Sequence, residues 1–224
     1  AGSLPVHLNE LGADFIAMPG HKGLLGPQGT GILLCGRTPD PLLAGGTGSA
    51  SDSEILPDYL PDRFESGTPN LPGIYGWEAA LQYVENRGVE GLRAHEMALC
   101  QRFLEGLSSI EGVSLCGTKD LNRRVGVFSV DFCKRDNAEA AFELEMEYGI
   151  LTRCGLHCAP RAHETVGTFP QGTVRFAPGR TTSIEEIACA LEAVSAAEKI
   201  DMARRLEALT LARDPRITQA SGSV

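Results

Sequence analysis

Two short apolar runs, DFIAM at residues 14–18 and GILLC at 31–35, bracket the stretch GHKGLLGPQGTG, which holds five glycines around Lys22. Apolar runs of this length around a turn-rich centre predict strand, loop, strand, with Lys22 on the loop. Residues 37–72 are dense in Gly, Pro, Ser and Asp, too long for a passive connection, and read as a functional loop. Helices are expected over 73–86 and 89–110. In the second, Leu92, Leu99, Phe103, Leu107 and Ile110 recur mainly at spacings of three, four and seven and mark one buried face.

Beyond Gly112 the pattern changes to short strands (VSLC, VGVFSVDF, ILTR, TVRFAP) separated by helices, which makes the chain an α/β protein. Asp136 with Glu139, and Ser183 with Glu186, have capping-box spacing. The second box precedes Ile184, Ile187, Ala188, Leu191 and Val194, and both helices are expected to cover one face of a small sheet. From about Asp201 the reading is a frayed helix and then disorder.

Composition narrows the function classes. The net charge of −9 comes from 29 acidic and 20 basic residues, scattered along the chain, with no basic footprint for nucleic acid. No apolar run of membrane-spanning length occurs, and AGSLPVHLNE has neither a basic nor an apolar leader segment, so a cytoplasmic protein without a membrane partner is expected. Seven cysteines at irregular spacing suit thiols in a reducing compartment.

Three stretches carry candidate chemistry. A phosphate-binding P-loop needs its lysine followed by Ser or Thr at a helix start, whereas Lys22 is followed by Gly23 and Leu24 and then by a strand. A partly desolvated lysine amine that forms a Schiff base with an aldehyde cofactor fits better, and a solvated surface lysine stands beside it. In RCGLHCAPRAH, Cys154, His157, Cys158 and His163 can be written as a zinc site, but ligands crowded into one short loop rarely reach tetrahedral geometry. The same loop suits a single nucleophilic thiol, with Arg153, His157 and Arg161 as cationic neighbours favouring the thiolate. The alternative is a pair of core cysteines with a bonded histidine, the reading given to Cys35, Cys100, Cys116, Cys133 and Cys189. In GTVRFAPGR, Arg175 is either a strand-borne fork for a carboxylate or an ordinary edge-strand arginine.

Taken in order and spacing, DFIAMPGHKGLLGPQGTG, RFESGTPNLPGI, RCGLHCAP and GTVRFAPGRTTSIEEI resemble the class V aminotransferase-like enzymes that depend on pyridoxal phosphate, specifically the cysteine desulfurases and selenocysteine lyases, over about residues 1–200. The resemblance implies the C-terminal portion of a fold type I enzyme. Residues 1–91 would continue the cofactor-binding large domain, 92–200 would form a small α/β domain, and 201–224 would be a partly disordered tail. It assigns Lys22 to covalent attachment of pyridoxal 5'-phosphate and His21 to the cofactor phosphate. Thr68 would reach the phosphate of a neighbouring subunit, which implies a homodimer. Arg175, helped by Arg153, would hold the carboxylate of a small amino-acid substrate. Cys158 would take the sulfur as a persulfide, for delivery to an acceptor protein. A phosphate loop, a ring-stacking histidine and a ring-nitrogen aspartate all precede the lysine strand in that family and fall outside this chain; Asp14 is too close to the strand to serve as that aspartate, and Pro19 stands near a position where desulfurases commonly have serine. Three further readings are therefore carried: a catalytically inactive binding module, a selenocysteine lyase, and an aminotransferase or epimerase in which Cys158 is idle. A chain lacking those preceding elements is also expected to expose an apolar patch within residues 1–90.

Overall fold

The computed structural model describes the backbone of residues 1–212 and the side chains of residues 1–199. The chain divides into two compact units, Ala1–Arg93 and the part from Ala94 onward.

The first unit holds an antiparallel ribbon of β1 (Phe15–Pro19) and β2 (Gly31–Cys35), in register from Phe15 opposite Cys35 to Pro19 opposite Gly31. Helix α1 (Leu71–Arg87) starts where the sequence GTPNLPG supplies its start signals. The Asn70 side chain accepts from the Gly73 N–H at 3.1 Å, and Pro72 occupies the first turn, where its missing N–H removes no helical bond. Gly88, at φ +72°, ends the helix. Between ribbon and helix the long loop has neither helix nor strand, yet Arg63 ties it together by ion pairs to Asp40 and Asp58. Trp77, Val84 and Leu92 are the buried apolar side chains of this unit among the described residues, while Leu42 and Ile55 are 96% and 80% exposed. A two-stranded ribbon and one helix cannot enclose a larger core.

Helix α2 (Val89–Leu107) runs into the second unit, whose sheet has the order β3-β4-β6-β5: β3 Val113–Cys116, β4 Phe128–Phe132, β5 Arg153–Gly155 and β6 Thr173–Phe176, every neighbouring pair antiparallel. Alternation sends Phe128, Val130 and Phe132 of β4, and Val174 and Phe176 of β6, to one face. There they pack with Leu99, Phe103 and Leu107 of α2, with Leu144 of α3 (Asn137–Tyr148), and with Ile187 and Val194 of α5 (Ile184–Ala212). Phe103 is the hub, its ring centroid 4.5 Å from that of Phe128 and 5.3 Å from that of Phe176. Arg135 bridges the layers: its guanidinium donates to the Ala197 carbonyl at 3.1 Å and pairs with buried Glu143 at 3.0 Å.

Local signals set the helix starts. The Asp136 carboxylate accepts from the Ala138 and Glu139 N–H groups, and Ser183 and Glu186 exchange bonds of 3.1 and 2.7 Å in a full capping box. Several boundaries differ from the sequence reading. ILTR is not a strand as a whole: Gly149 turns left-handed at the end of α3, the Ile150 N–H returns to the Leu144 carbonyl, and pairing begins only at Arg153. Val125–Val127 stay outside β4 because the Arg124 guanidinium takes the Val127 carbonyl and lies over the Phe128 ring. Ile184 is exposed, since it opens α5 one turn before the helix meets the core. Helix α4 (Pro160–Val166) carries no sequence prediction. Of the cysteines assigned to the core, only Cys100 is buried; Cys35, Cys133 and Cys189 are exposed and Cys116 is half-buried, because they lie on the thin ribbon, at a strand end and on the outer side of α5. Helix α5 extends to Ala212 where a frayed segment was expected from Asp201, and the expected disorder at 213–224 lies outside the described residues.

Candidate active site

The lysine turn closes the ribbon. The Gly20 N–H donates to the Thr30 carbonyl at 2.9 Å, the Gly26 N–H to the Gly20 carbonyl at 2.7 Å, and the Thr30 hydroxyl to the Pro27 carbonyl at 2.7 Å. Its glycines are packing requirements: a Cβ on Gly26 would lie 2.4 Å from Trp77 Cδ1, and one on Gly20 would lie 3.1 Å from the same indole. The turn therefore folds flat on Trp77 of α1 and holds His21 and Lys22 outward. Both side chains are exposed, and Lys22 makes no ion pair or side-chain hydrogen bond among the described residues. Of the two readings of Lys22, the exposure in this chain matches the solvated surface lysine and not the partly desolvated amine, with Trp77 packed against the turn's glycines. Thr68 is also exposed, between Gly67, whose N–H donates to the Gly46 carbonyl at 2.8 Å, and the Asn70 cap.

The second unit brings four of the sequence candidates together. On the sheet face opposite the core, Arg153 of β5 and Arg175 of β6 are direct cross-strand partners, with Ser129 of β4 next in the same row. Neither arginine forms an ion pair among the described residues. Like charges directly opposite one another destabilise a sheet, so the row is a standing demand for an anion. Immediately after β5 the chain reverses in a tight turn. The Ala159 N–H donates to the Leu156 carbonyl at 2.8 Å, and the two central residues, His157 and Cys158, have φ of +53° and +61°. Left-handed backbone at two consecutive side-chain-bearing residues costs about 1–2 kcal/mol each and is retained where a site needs it. The turn leaves Cys158 exposed.

His157 Nε2 donates to the Arg153 carbonyl at 2.8 Å, which leaves Nδ1 without the proton in the neutral ring. Partial burial, and then the nearby Arg175, His163 and Arg153, push its pKa below the ordinary histidine value, while the bond to Arg153 works in the opposite direction. His157 is therefore a neutral neighbour of the thiol rather than the cation expected from sequence. Arg161 is likewise engaged, paired with Glu164 at 2.8 Å on its own helix. Cys154 turns to the other side of the sheet, where burial and then Asp136 raise its pKa, away from nucleophilic use. No group of three His, Cys, Asp or Glu side chains among the described residues is placed to hold a metal ion. Sequence reasoning weighed His163 only as a zinc ligand or a bonded histidine and passed over Thr168: His163 is 5% exposed, its Nδ1 lies 2.7 Å from Thr168 Oγ1, and its ring centroid is 5.7 Å from that of His157. A histidine beginning the last turn of a short helix, ahead of a Gly-Thr pair, was the available signal.

The donor set suits the aldehyde end of pyridoxal phosphate: Lys22 is an uncommitted amine on a turn where Gly20, Gly23 and Gly26 leave no room for a Cβ, and an exposed histidine adjoins it.

An α/β chain with a lysine turn between antiparallel strands and an arginine row beside a thiol-bearing turn defines a class, and comparison with known proteins names it. The aminotransferase class-V family profile matches residues 1–189, and the chain belongs to that family. It is 36% identical over 180 residues to a probable cysteine desulfurase of Methanothermobacter thermautotrophicus, covering 75% of this chain and 44% of that protein. It is 34% identical over 194 residues to another from Pyrococcus abyssi, covering 83% and 47%. Its fold matches the apo structure of a cysteine desulfurase from Thermococcus onnurineus NA1 with a TM-score of 0.79 and 33% identity, over 88% of this chain and 50% of that one. The chain thus spans about half the length of the relatives it matches. No helix among the described residues is long and apolar enough to cross a membrane.

Proposed function

We propose that this chain carries the lysine and thiol portion of a pyridoxal-phosphate-dependent cysteine desulfurase, which moves sulfur from L-cysteine to Cys158 and releases alanine. The observation that carries the reading is the Arg153–Arg175 row, without an ion pair among the described residues, in the same unit as the exposed, strained Cys158 turn, a pair of cations near a thiol. The names of the relatives support the choice of substrate. In this reading residues 1–91 belong to the cofactor domain and 92–200 to the small domain. The remaining cofactor contacts would come from the part of the longer relatives that residues 1–224 do not match.

When bound, pyridoxal phosphate supplies an aldehyde for the amino group and a ring that withdraws electrons from the substrate Cα. Lys22 would hold the cofactor through its amine and, as a free amine, would take the substrate's Cα proton and later return it to Cα. His21 binds the cofactor phosphate, and Thr68 binds the phosphate of a second subunit, so the working form is a homodimer in the cytoplasm. Arg175 and Arg153 hold the substrate carboxylate as a planar fork and its helper. Cys158 Sγ, as thiolate, attacks the substrate Sγ. The S–S bond forms, the C–S bond breaks with its electron pair left on carbon, and protonation of that carbon gives alanine. Placing the two sulfurs within about 3–3.5 Å supplies several kcal/mol of the barrier. The persulfide is then passed to an acceptor protein.

The test is trapping. Incubation with pyridoxal phosphate followed by borohydride reduction should fix the cofactor on Lys22 and spare Lys119, Lys134 and Lys199 in the same digest. Equal labelling of all four lysines, or undiminished total labelling in Lys22→Ala, would refute the assignment.

A further inference from the structure

The thiol turn is costly as built. Two successive residues with side chains sit in left-handed backbone, and its exposed tip has no core packing to keep it there. What holds it lies behind it. The His157 ring is fastened on one edge to the Arg153 carbonyl and stands 5.7 Å, centroid to centroid, from the ring of His163. His163 is itself buried and fixed: its Nδ1 meets Thr168 Oγ1, and its carbonyl accepts from the N–H groups of Thr168 and Phe169 at 2.9 and 3.2 Å. A continuous path therefore runs from the buried Thr168–His163 pair, through His157, to the strand carrying Arg153. Cys158 is the next residue along the chain.

We propose that His157 and His163 are positioning residues for Cys158: His163, anchored by Thr168, backs the His157 ring, and His157 clamps the turn to β5 so that the thiol stays beside the Arg153–Arg175 row. The inference rests on the reading of Cys158 as the sulfur nucleophile. It gives the two imidazoles work that the reaction itself does not require. It also makes the clamp pH-sensitive. The groups facing His157 are Arg153 of β5, Arg175 of β6 and His163 of α4, all cationic or able to become so, and each opposes a charge on its ring. Protonating His157 sets a third or fourth positive charge into that space, against the arginines, and changes the charge beside the Cys158 thiol while the ring keeps its bond to the Arg153 carbonyl. Removing His163 takes away one of the opposing groups, so the imidazole transition should move upward.

The thiol can be read without the cofactor. In the full chain, alkylation of Cys158 by iodoacetamide is followed against pH by peptide mass spectrometry, with exposed Cys35, Cys133 and Cys189 as internal references and buried Cys100 as the indicator of unfolding. The proposal expects two inflections for Cys158, one from the thiol and one below the ordinary histidine value. The lower one should vanish in His157→Gln. It should shift upward in His163→Phe, and Thr168→Val, which frees the His163 ring without removing it, should change the Cys158 rate, with the three reference thiols changing less than about twofold. His163→Gln, which can still bond Thr168, should restore the Cys158 rate more closely than His163→Phe. A single inflection in the unaltered chain, or a lower inflection that persists in His157→Gln, would overturn the proposal. So would parallel changes at all the exposed thiols. If His163→Phe exposes Cys100, Thr168→Val decides the matter, since its ring pair is intact. Sulfur transfer plays no part in this readout, so failure of the clamp and failure of the desulfurase reading give different results.

Discussion

Arg153 and Arg175 stand directly opposite one another on β5 and β6, and neither has an ion-pair partner among the described residues. Opposed like charges cost a sheet roughly 0.2–1 kcal/mol. Arg175→Met, which keeps the aliphatic stem and removes the charge, should leave the stability of the chain unchanged or raise it by about that amount in urea unfolding. Sulfur uptake by Cys158 should fall by roughly tenfold to a hundredfold, the loss of a charge-assisted hydrogen bond. Cofactor trapping on Lys22 should be unaffected. A destabilised variant with normal sulfur uptake would mean that Arg175 serves the fold and not the substrate.

The lysine turn depends on the absence of a side chain at Gly26. Gly26→Ala forces a methyl group to within 2.4 Å of the Trp77 ring and should cost about 1–3 kcal/mol within the first unit. Hydrogen exchange should accelerate in β1 and β2 while the β4 and β6 amides keep their protection. Trapping of the cofactor on Lys22 should drop in parallel.

Glu143 neutralises Arg135 in a setting where the two side chains are 10% and 5% exposed. Glu143→Ala leaves a buried guanidinium without its carboxylate and should destabilise the second unit by about 3–5 kcal/mol in denaturant unfolding. The double variant Arg135→Met with Glu143→Leu should recover most of that loss, because neither charge then remains to be paired.

His157 contributes pH dependence with a definite sign. Its pKa in the folded chain lies below the unfolded value, so the unfolded chain binds the proton more readily. The stability linked to this group is fully present above the ordinary histidine value of about 6.5 and is lost as pH falls through the lowered one. Unfolding midpoints measured down this range should fall more steeply for the unaltered chain than for His157→Gln.

Much of this was legible in the sequence for identifiable reasons. The ribbon, the two capped helices beyond Gly112 and the buried face at Leu99, Phe103 and Leu107 follow from short-range patterns that bind their own backbone or their own face. ILTR and VGVFSVDF were misjudged because Gly149 and Arg124 spend those residues on a helix end and a carbonyl bond, and apolar content does not report such competition. The sequence left Lys22 open between a partly desolvated amine and a solvated surface lysine, because burial is decided by what packs over a loop, and the loop's own residues say nothing about that. The neutral state of His157 was hidden as well: it arises first from partial burial, and then from Arg175, on another strand, and His163, on a helix with no predicted counterpart.

The central claim is that Lys22 and Cys158 serve one sulfur-transfer reaction, and the most direct measurement is persulfide mapping. After incubation with pyridoxal phosphate and L-cysteine, the account predicts one added sulfur atom on the peptide bearing Cys158. The gain should be absent in Lys22→Ala and absent in Cys158→Ser, with Cys35, Cys133 and Cys189 unmodified. No sulfur gain at Cys158, or a gain that survives Lys22→Ala, would contradict it.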